Sequence, residues 1–271
     1  MKVSNSLFAA TGRLQPHSDS PRLDAELLMA EALGTTRDDL LLRRLDDQAP
    51  AAFEPLLARR EAGEPVAYII GRRDFWTITV EVGPGALVPR PETETLIEAA
   101  LAHFRGRPPK RILDLGTGPG TLLLAALSEW PEATGLGIDA STEALAYARR
   151  NAERLGLGDR ADLRLGDWLH GVDEAFDLIL CNPPYVETAA TLPRDVADWE
   201  PHGALFAADG LSEYRRLAPA LRPHLAPGGL ACFEIGAGQA AAVAALFEAQ
   251  GFTALSRSDL RGIARCIAVT A

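Results

Sequence analysis

The chain has 271 residues and 29.0 kDa, with 47% hydrophobic and 24% charged residues, the make-up of a soluble globular protein. A chain of this size buries roughly three quarters of its unfolded surface, and the composition excludes disorder, collagen and coiled coil. Acidic residues outnumber basic ones by 37 to 27, for a net charge of −10. The excess holds on both sides of Gly85, with 10 basic and 13 acidic residues up to it and 17 and 24 beyond it, so neither part is the basic lobe that phosphate backbones demand.

The first 63 residues read as helical. Ser20-Pro21 offers an N-cap and a proline at the first helical position, Leu23, Leu27, Leu28 and Ala32 recur at helical spacing, and Gly34 closes the segment. Short helices follow over Arg37–Arg44 and Ala52–Ala62, the second stopped by Gly63. From Pro65 to Val82 the residues turn aromatic and β-branched, with Gly71-Arg72-Arg73-Asp74 between Val66–Ile70 and Phe75–Val80, which predicts a connecting β-hairpin. Gly83-Pro84-Gly85 breaks it, and Pro89-Arg90-Pro91 leads into a helix from Glu92 to about His103.

Beyond Pro108-Pro109 strand and helix alternate, the pattern of a mostly parallel sheet covered on both faces. Strands are expected at Arg111–Leu115, Thr134–Asp139, Asp162–Leu165, Phe176–Cys181, Gly229–Ile235, Phe252–Ser256 and Ile263–Val269. Helices are expected at Leu122–Trp130, Thr142–Leu155, Ser212–Leu225 and Gln239–Ala249. The fold class is therefore α/β: a Rossmann-like, seven-stranded sheet with a small N-terminal helical domain. The expected division is residues 1–63, a hairpin linker over 64–85, and a second domain over 86–271.

Two strand ends carry the chemistry. Asp114-Leu115-Gly116-Thr117-Gly118-Pro119-Gly120 closes the first parallel strand, where glycines let a ligand lie against bare backbone at the carboxyl edge of the sheet. The spacing is G-x-G-x-G, and Thr121 follows Gly120, so the dinucleotide fingerprint is not met. Asp139 ends the next strand, 23 residues after Gly116, as an acceptor for ribose hydroxyls or as a solvent-facing acid. The second strand end is Asn182-Pro183-Pro184-Tyr185, after the apolar Leu178–Cys181. Two consecutive prolines remove two N–H donors and leave every carbonyl, so the Asn182 side-chain oxygen and the Pro183 carbonyl form an acceptor-rich surface suited to a planar –NH₂ group. Tyr185 adds an aromatic face. Trp168 alone reads as a core residue, and Arg90 and Glu92 read equally as pocket residues or as caps of the following helix.

This combination resembles the class I S-adenosylmethionine-dependent methyltransferases. Its sharper resemblance is to the peptide chain release factor N5-glutamine methyltransferases of the HemK/PrmC type, carried in order by Glu64–Tyr68, Gly71-x-x-x-Phe75-Trp76 and Leu87–Glu94. Asp114–Gly120, Asp139, Gly166-Asp167-Trp168, Asn182–Tyr185, Glu200-Pro201, Ala204-Leu205 and Gly210 continue it. The resemblance implies methylation of the glutamine in the Gly-Gly-Gln loop of release factors. It implies that Gly116, Thr117, Gly118, Pro119 and Gly120 line the methionine and adenosine portion of S-adenosylmethionine, that Asp139 holds the ribose, that Trp168 lies by the adenine and that Asn182 also touches the cofactor. Asn182, Pro183, Pro184 and Tyr185 would receive the glutamine, with Asn182, Pro183 and Tyr185 the catalytic set. Pro119 departs from the usual Ser or Thr and removes one N–H donor from the loop, Val186 stands where Ile is common, and Ala264 where an acid is frequent.

The competing readings are an N6-adenine DNA or RNA methyltransferase, since an exocyclic amine is chemically close to an amide, and a non-catalytic S-adenosylmethionine-binding scaffold. The acidic balance and the lack of a target-recognition region weigh against the former, the intact Asn182–Tyr185 against the latter. Cys181, Cys232 and Cys266 are odd in number and lie in apolar stretches, and the histidines show no ligand spacing, so no disulfide framework and no metal are expected. With no 18-residue apolar span, no membrane contact is expected, nor direct nucleic-acid binding, and the location expected is cytoplasmic.

Overall fold

The structure, a computed structural model, describes residues 1–271 as two compact units, one of Met1–Arg72 with Leu192–Trp199 and one of Arg73–Thr191 with Glu200–Ala271. The first is helical: α1 (Val3–Leu14), α2 (Pro21–Leu33), α3 (Arg37–Arg43), α4 (Phe53–Glu61) and α5 (Val66–Ile70). Along α1 the residues Val3, Leu7, Ala10 and Leu14 fall on one buried stripe at helical spacing. Helix α2 carries Pro21 at its start and ends at Gly34, whose left-handed φ of 61° lets its N–H return to Ala30 and Glu31. Its buried apolar residues are Ala25, Leu28, Met29 and Ala30, whereas Leu23 is 39% exposed. Asp24 is buried with them because the Arg60 guanidinium meets it at 2.7 Å. Arg60 also reaches Asp195, at 3.2 Å, so one buried cation serves two acids.

Residues 66–70 correct the expected hairpin. They form α5, in which Tyr68 and Ile69 donate their N–H groups to the Pro65 carbonyl and Gly71, at φ 76°, ends the turn. Ala67, Tyr68 and Ile69 are buried, and Ile69 joins the core of α1, α2 and α4, so packing overrides β-branched preference. The hairpin is shorter and lies later: β1 (Arg72–Phe75) and β2 (Ile78–Glu81), turning at Trp76-Thr77 instead of Gly71–Asp74. Trp76 has a φ of 53°, unusual for a bulky residue, and is held there by its own N–H on Glu94 Oε1 (2.8 Å) and its indole N–H on Glu129 Oε1 (2.6 Å).

The second unit continues through a 3₁₀ turn at Pro91–Thr93 into α6 (Glu94–His103), then β3 (Arg111–Leu115), α7 (Thr121–Glu129), β4 (Thr134–Asp139), α8 (Thr142–Arg154), β5 (Ala161–Leu165) and β6 (Phe176–Cys181). After β7 (Val186–Glu187) the chain supplies α9 (Arg194–Ala197) to the first unit. It resumes with α10 (His202–Leu205), β8 (Phe206–Ala207), α11 (Ser212–Ala220), β9 (Leu225–Glu234), α12 (Ala240–Glu248), β10 (Thr253–Ser258) and β11 (Ala264–Thr270). Helix α11 stops five residues before the expected Leu225, with Pro219 inside it and Pro223 in the 3₁₀ turn that follows.

Seven strands form one sheet in the order β10-β11-β9-β6-β3-β4-β5, in which only β11 runs against the others. This is the expected mostly parallel sheet. The chain leaves β3 toward β4 on one side and occupies β6 on the other, so the order reverses at β3. Open α/β sheets bind ligands beyond the strand carboxyl ends at such a reversal. The core of this unit includes Leu113, Leu115, Ile179, Cys181, Phe233 and Ile267. All three cysteines are buried and free.

Candidate active site

Strands β3 and β6 end level, Leu115 pairing with Cys181 in register, so Gly116 and Asn182 begin two neighbouring loops. On the β3 side the Gly116 and Thr117 N–H groups both donate to the Ile138 carbonyl, at 2.8 and 3.0 Å. A Cβ on Gly116, at φ 68°, would stand 3.3 Å from the Trp168 ring, so the absence of a side chain there is what brings strand end and indole together. Asp139 accepts the Gly118 N–H on one carboxylate oxygen (2.7 Å) and the Ser141 N–H on the other (2.8 Å). Burial raises its pKa, while those backbone donors act in the opposite direction.

Asp114 is buried at the foot of the loop. Its Oδ2 accepts the Thr117 hydroxyl (2.6 Å) and the Leu123 N–H (3.1 Å), and its Oδ1 has no partner. Burial pushes its pKa up to about 7 against both hydrogen bonds. The Pro119 carbonyl is held from behind by Asn151, wholly buried on α8, whose amide donates to it at 2.9 Å and to the Glu81 carbonyl at 3.0 Å.

On the β6 side Asn182 and Pro184 face a cavity of about 460 Å³, whose wall also holds Gly116, Thr117, Gly118, Pro119, Asp139 and Trp168. Of the eleven residues expected to hold cofactor or glutamine, these eight meet at one site. Three do not line it. Gly120, at φ 87°, lies where a Cβ would strike Leu124 at 2.8 Å, so it serves the packing of α7. Pro183 is buried off the cavity. Tyr185 directs its hydroxyl to Glu234, at 3.0 Å, and its ring packs on the core. Arg90 does line the cavity, pairing with the buried Glu200 and donating to the Val88 carbonyl (2.8 Å), whereas Glu92 does not.

Glu213 is a wall residue that the sequence did not announce. Its carboxylate accepts the Trp168 indole N–H at 2.7 Å and pairs with Arg216 at 2.9 Å, fixing an indole whose own backbone is left-handed at φ 50°. An acid in the first turn of a helix is too common a pattern to single out. Glu200 lay in a quoted motif but without a role. It accepts the Val88 N–H at 3.0 Å and so anchors the Val88–Arg90 stretch of the wall.

Comparison with known proteins decides the family. The PrmC N-terminal domain matches residues 7–71, and the methyltransferase small domain matches residues 93–198. The release factor glutamine methyltransferase of Caulobacter vibrioides is 46% identical over 253 residues, covering 90% of this chain and 88% of that one. The protein of the same name from Cereibacter sphaeroides is 44% identical over 98% of both chains. This chain belongs to the release factor glutamine methyltransferase family. Its methyltransferase fold is shared with more distant proteins: the catalytic domain of hMettl16, solved with the MAT2A 3′UTR hairpin 6, superposes with a TM-score of 0.56 at 14% identity over 76% of this chain and 81% of that one. In this methyltransferase no three His, Cys, Asp or Glu side chains are grouped to hold a metal ion, and no helix is long and apolar enough to cross a membrane.

Proposed function

We propose that the chain transfers a methyl group from S-adenosylmethionine to the side-chain amide nitrogen of the glutamine in the Gly-Gly-Gln loop of peptide chain release factors. The observation that carries the reading is the juxtaposition at β3 and β6: a glycine-rich strand end beside an acceptor-rich Asn-Pro-Pro-Tyr turn, on one cavity. Relatives named release factor glutamine methyltransferase match nearly the full chain.

The residues fit a nucleoside carrying a sulfonium and an amino acid. Gly116 leaves room beside Trp168, Asp139 offers carboxylate oxygens to a ribose, and Asp114, Asp139 and Glu213 put acids on the wall of a site for a cationic ligand. When bound, S-adenosylmethionine supplies a methyl group on an electrophilic sulfonium. The protein's part is to orient the acceptor. A carboxamide nitrogen is a poor nucleophile because its lone pair is delocalised, and a hydrogen bond from its –NH₂ to the Asn182 side-chain oxygen, on the cavity wall, favours a localised pair aimed at the methyl. Transfer would break the sulfonium S–CH₃ bond, leave a neutral thioether and make the alkylated nitrogen cationic, so its proton would pass to water and no strong base among these residues would be required.

Trp168, held by Glu213, takes the adenine in this reading, and the Gly116–Gly120 loop takes the methionine and adenosine portion. The helical unit, residues 1–63 with the segment that follows, docks the protein substrate. A cytoplasmic setting belongs to the same reading, supported by three unpaired cysteines.

The test is incubation of the purified protein and a bacterial release factor with S-adenosylmethionine, read by fragment-ion mass spectrometry. One added methyl on the Gly-Gly-Gln glutamine is the expected result. An unmodified release factor beside a methylated adenine-containing nucleic acid would overturn the substrate, and cofactor binding with no transfer to either would favour a scaffold.

A further inference from the structure

Behind the Asn182–Tyr185 turn lies a buried cluster that the transfer described above leaves unused. Glu234, the last residue of β9, is 1% exposed and follows the fully apolar, buried run Leu230–Phe233. Its Oε1 accepts the Tyr185 hydroxyl at 3.0 Å, and its Oε2 is buried with no partner. Burial lifts the carboxyl to about 7; the Thr93 hydroxyl beside it, the Tyr185 hydroxyl and Arg265 oppose the rise, and Glu92 adds to it. A carboxyl buried at the end of an apolar strand with so few donors costs stability, and such costs concentrate at functional sites.

Tyr185 is also held through its backbone and closely surrounded. Gln239 donates its amide N–H to the Tyr185 carbonyl at 3.1 Å and to the Gly210 carbonyl at 3.3 Å, while its oxygen accepts the Gly236 N–H at 2.9 Å. A Cβ on Gly210 would stand 2.9 Å from the Tyr185 carbonyl oxygen, and one on Gly236 would stand 3.2 Å from the Tyr185 ring. The ring packs on the core cluster that contains Phe233 and Ile235. The turn therefore shows Asn182 and Pro184 to the cavity and turns its aromatic ring away.

We infer that Glu234 is a positioning residue that sets acceptor specificity: by holding the Tyr185 hydroxyl it keeps the ring out of the acceptor end of the cavity, leaving a slot for a slender aliphatic carboxamide and no stacking face for a planar base. The inference rests on the proposed glutamine methylation and deepens it. A base presented to an enzyme gains much of its binding from stacking on an aromatic face. An amide at the tip of a flexible side chain has no such face to offer and depends on edge contacts and exact registration of the turn.

The test compares Glu234→Leu, Glu234→Gln, Tyr185→Phe and the double variant Glu234→Leu/Tyr185→Phe. Turnover on a purified release factor should fall about 10-fold in Glu234→Leu and in Tyr185→Phe, with S-adenosylmethionine affinity unchanged within about 2-fold. Glu234→Gln, which keeps an oxygen for the tyrosine hydroxyl, should stay within about 3-fold of the parent, and the double variant should be no worse than either single one. Parent-like turnover in Tyr185→Phe and Glu234→Leu, or effects that add, would overturn the inference. If Glu234→Leu does not fold, the Tyr185→Phe and Glu234→Gln pair decides it. A second readout needs no substrate: the infrared carbonyl stretch of Glu234, recorded about two pH units below 7 and assigned by its loss in Glu234→Gln, should shift in Tyr185→Phe. A shift with no methylation of the release factor by the parent protein would remove the substrate reading and keep the Glu234–Tyr185 hold; no shift would overturn that hold.

Discussion

At the end of β3 the backbone donates: Gly116 and Thr117 give their N–H groups to Ile138, and Gly118 gives its own to Asp139. At the end of β6 two consecutive prolines have no N–H to give, and the side chain that follows them is tied back to Glu234. The two ends lie side by side in register and face the same cavity. One is a rigid loop whose internal bonds are already made, suited to a large ligand that arrives with its own donors. The other keeps acceptors open for a small –NH₂ group. A two-substrate site is thus divided by backbone chemistry, with the cofactor end braced and the acceptor end left donor-poor.

The sharpest way to break that division is Asn182→Ala. Turnover on the release factor should drop by about 10²–10³-fold, the scale of losing one preorganised polar contact in a transition state. Cofactor affinity, followed by calorimetry, should change little, and near-normal turnover would refute the assignment of the acceptor end. The converse change is Asp139→Ala, which should weaken cofactor binding by about 1–3 kcal/mol for a lost charge-assisted hydrogen bond. Saturating cofactor should restore most of the turnover, whereas an equal loss at saturation would mean that Asp139 acts on the transfer itself.

The smallest expected effect on activity, and one visible in stability, concerns Asp114. Its pKa is raised in the folded state to about 7 from the ordinary 3.8. The folded chain therefore keeps a proton that the unfolded chain has lost, and stability falls as pH rises through that interval. Asp114→Asn removes this dependence. Relative to the variant, the parent should melt progressively lower as pH rises from about 4 to about 7 and then level off. A difference in melting temperature that stays constant over that interval would show that the Asp114 carboxyl is ionised throughout.

Much of the site was legible because it rests on backbone chemistry that only a few residue types provide. Gly116 is needed where a Cβ would crowd Trp168, and Pro183-Pro184 ends a strand and strips donors whatever surrounds it. The residues that escaped notice act through space. Asn151 on α8 reaches the Pro119 carbonyl, Glu213 on α11 reaches the indole of Trp168, and Glu234 on β9 reaches Tyr185. Only Glu234 carried a signal of its own, a carboxylate closing an apolar strand, and that signal names no partner.

By itself the sequence determined the seven strands, the parallel pattern of most of them and the position of the two loops, since alternation, glycine and proline are local constraints on the backbone. Tertiary structure decided that Val66–Ile70 is helical, because burying Ala67, Tyr68 and Ile69 outweighs the strand preference of β-branched residues. It also decided that Tyr185 faces the core and not the cavity, because a side chain follows whichever partner, here a buried carboxylate 49 positions along the chain, satisfies its hydroxyl.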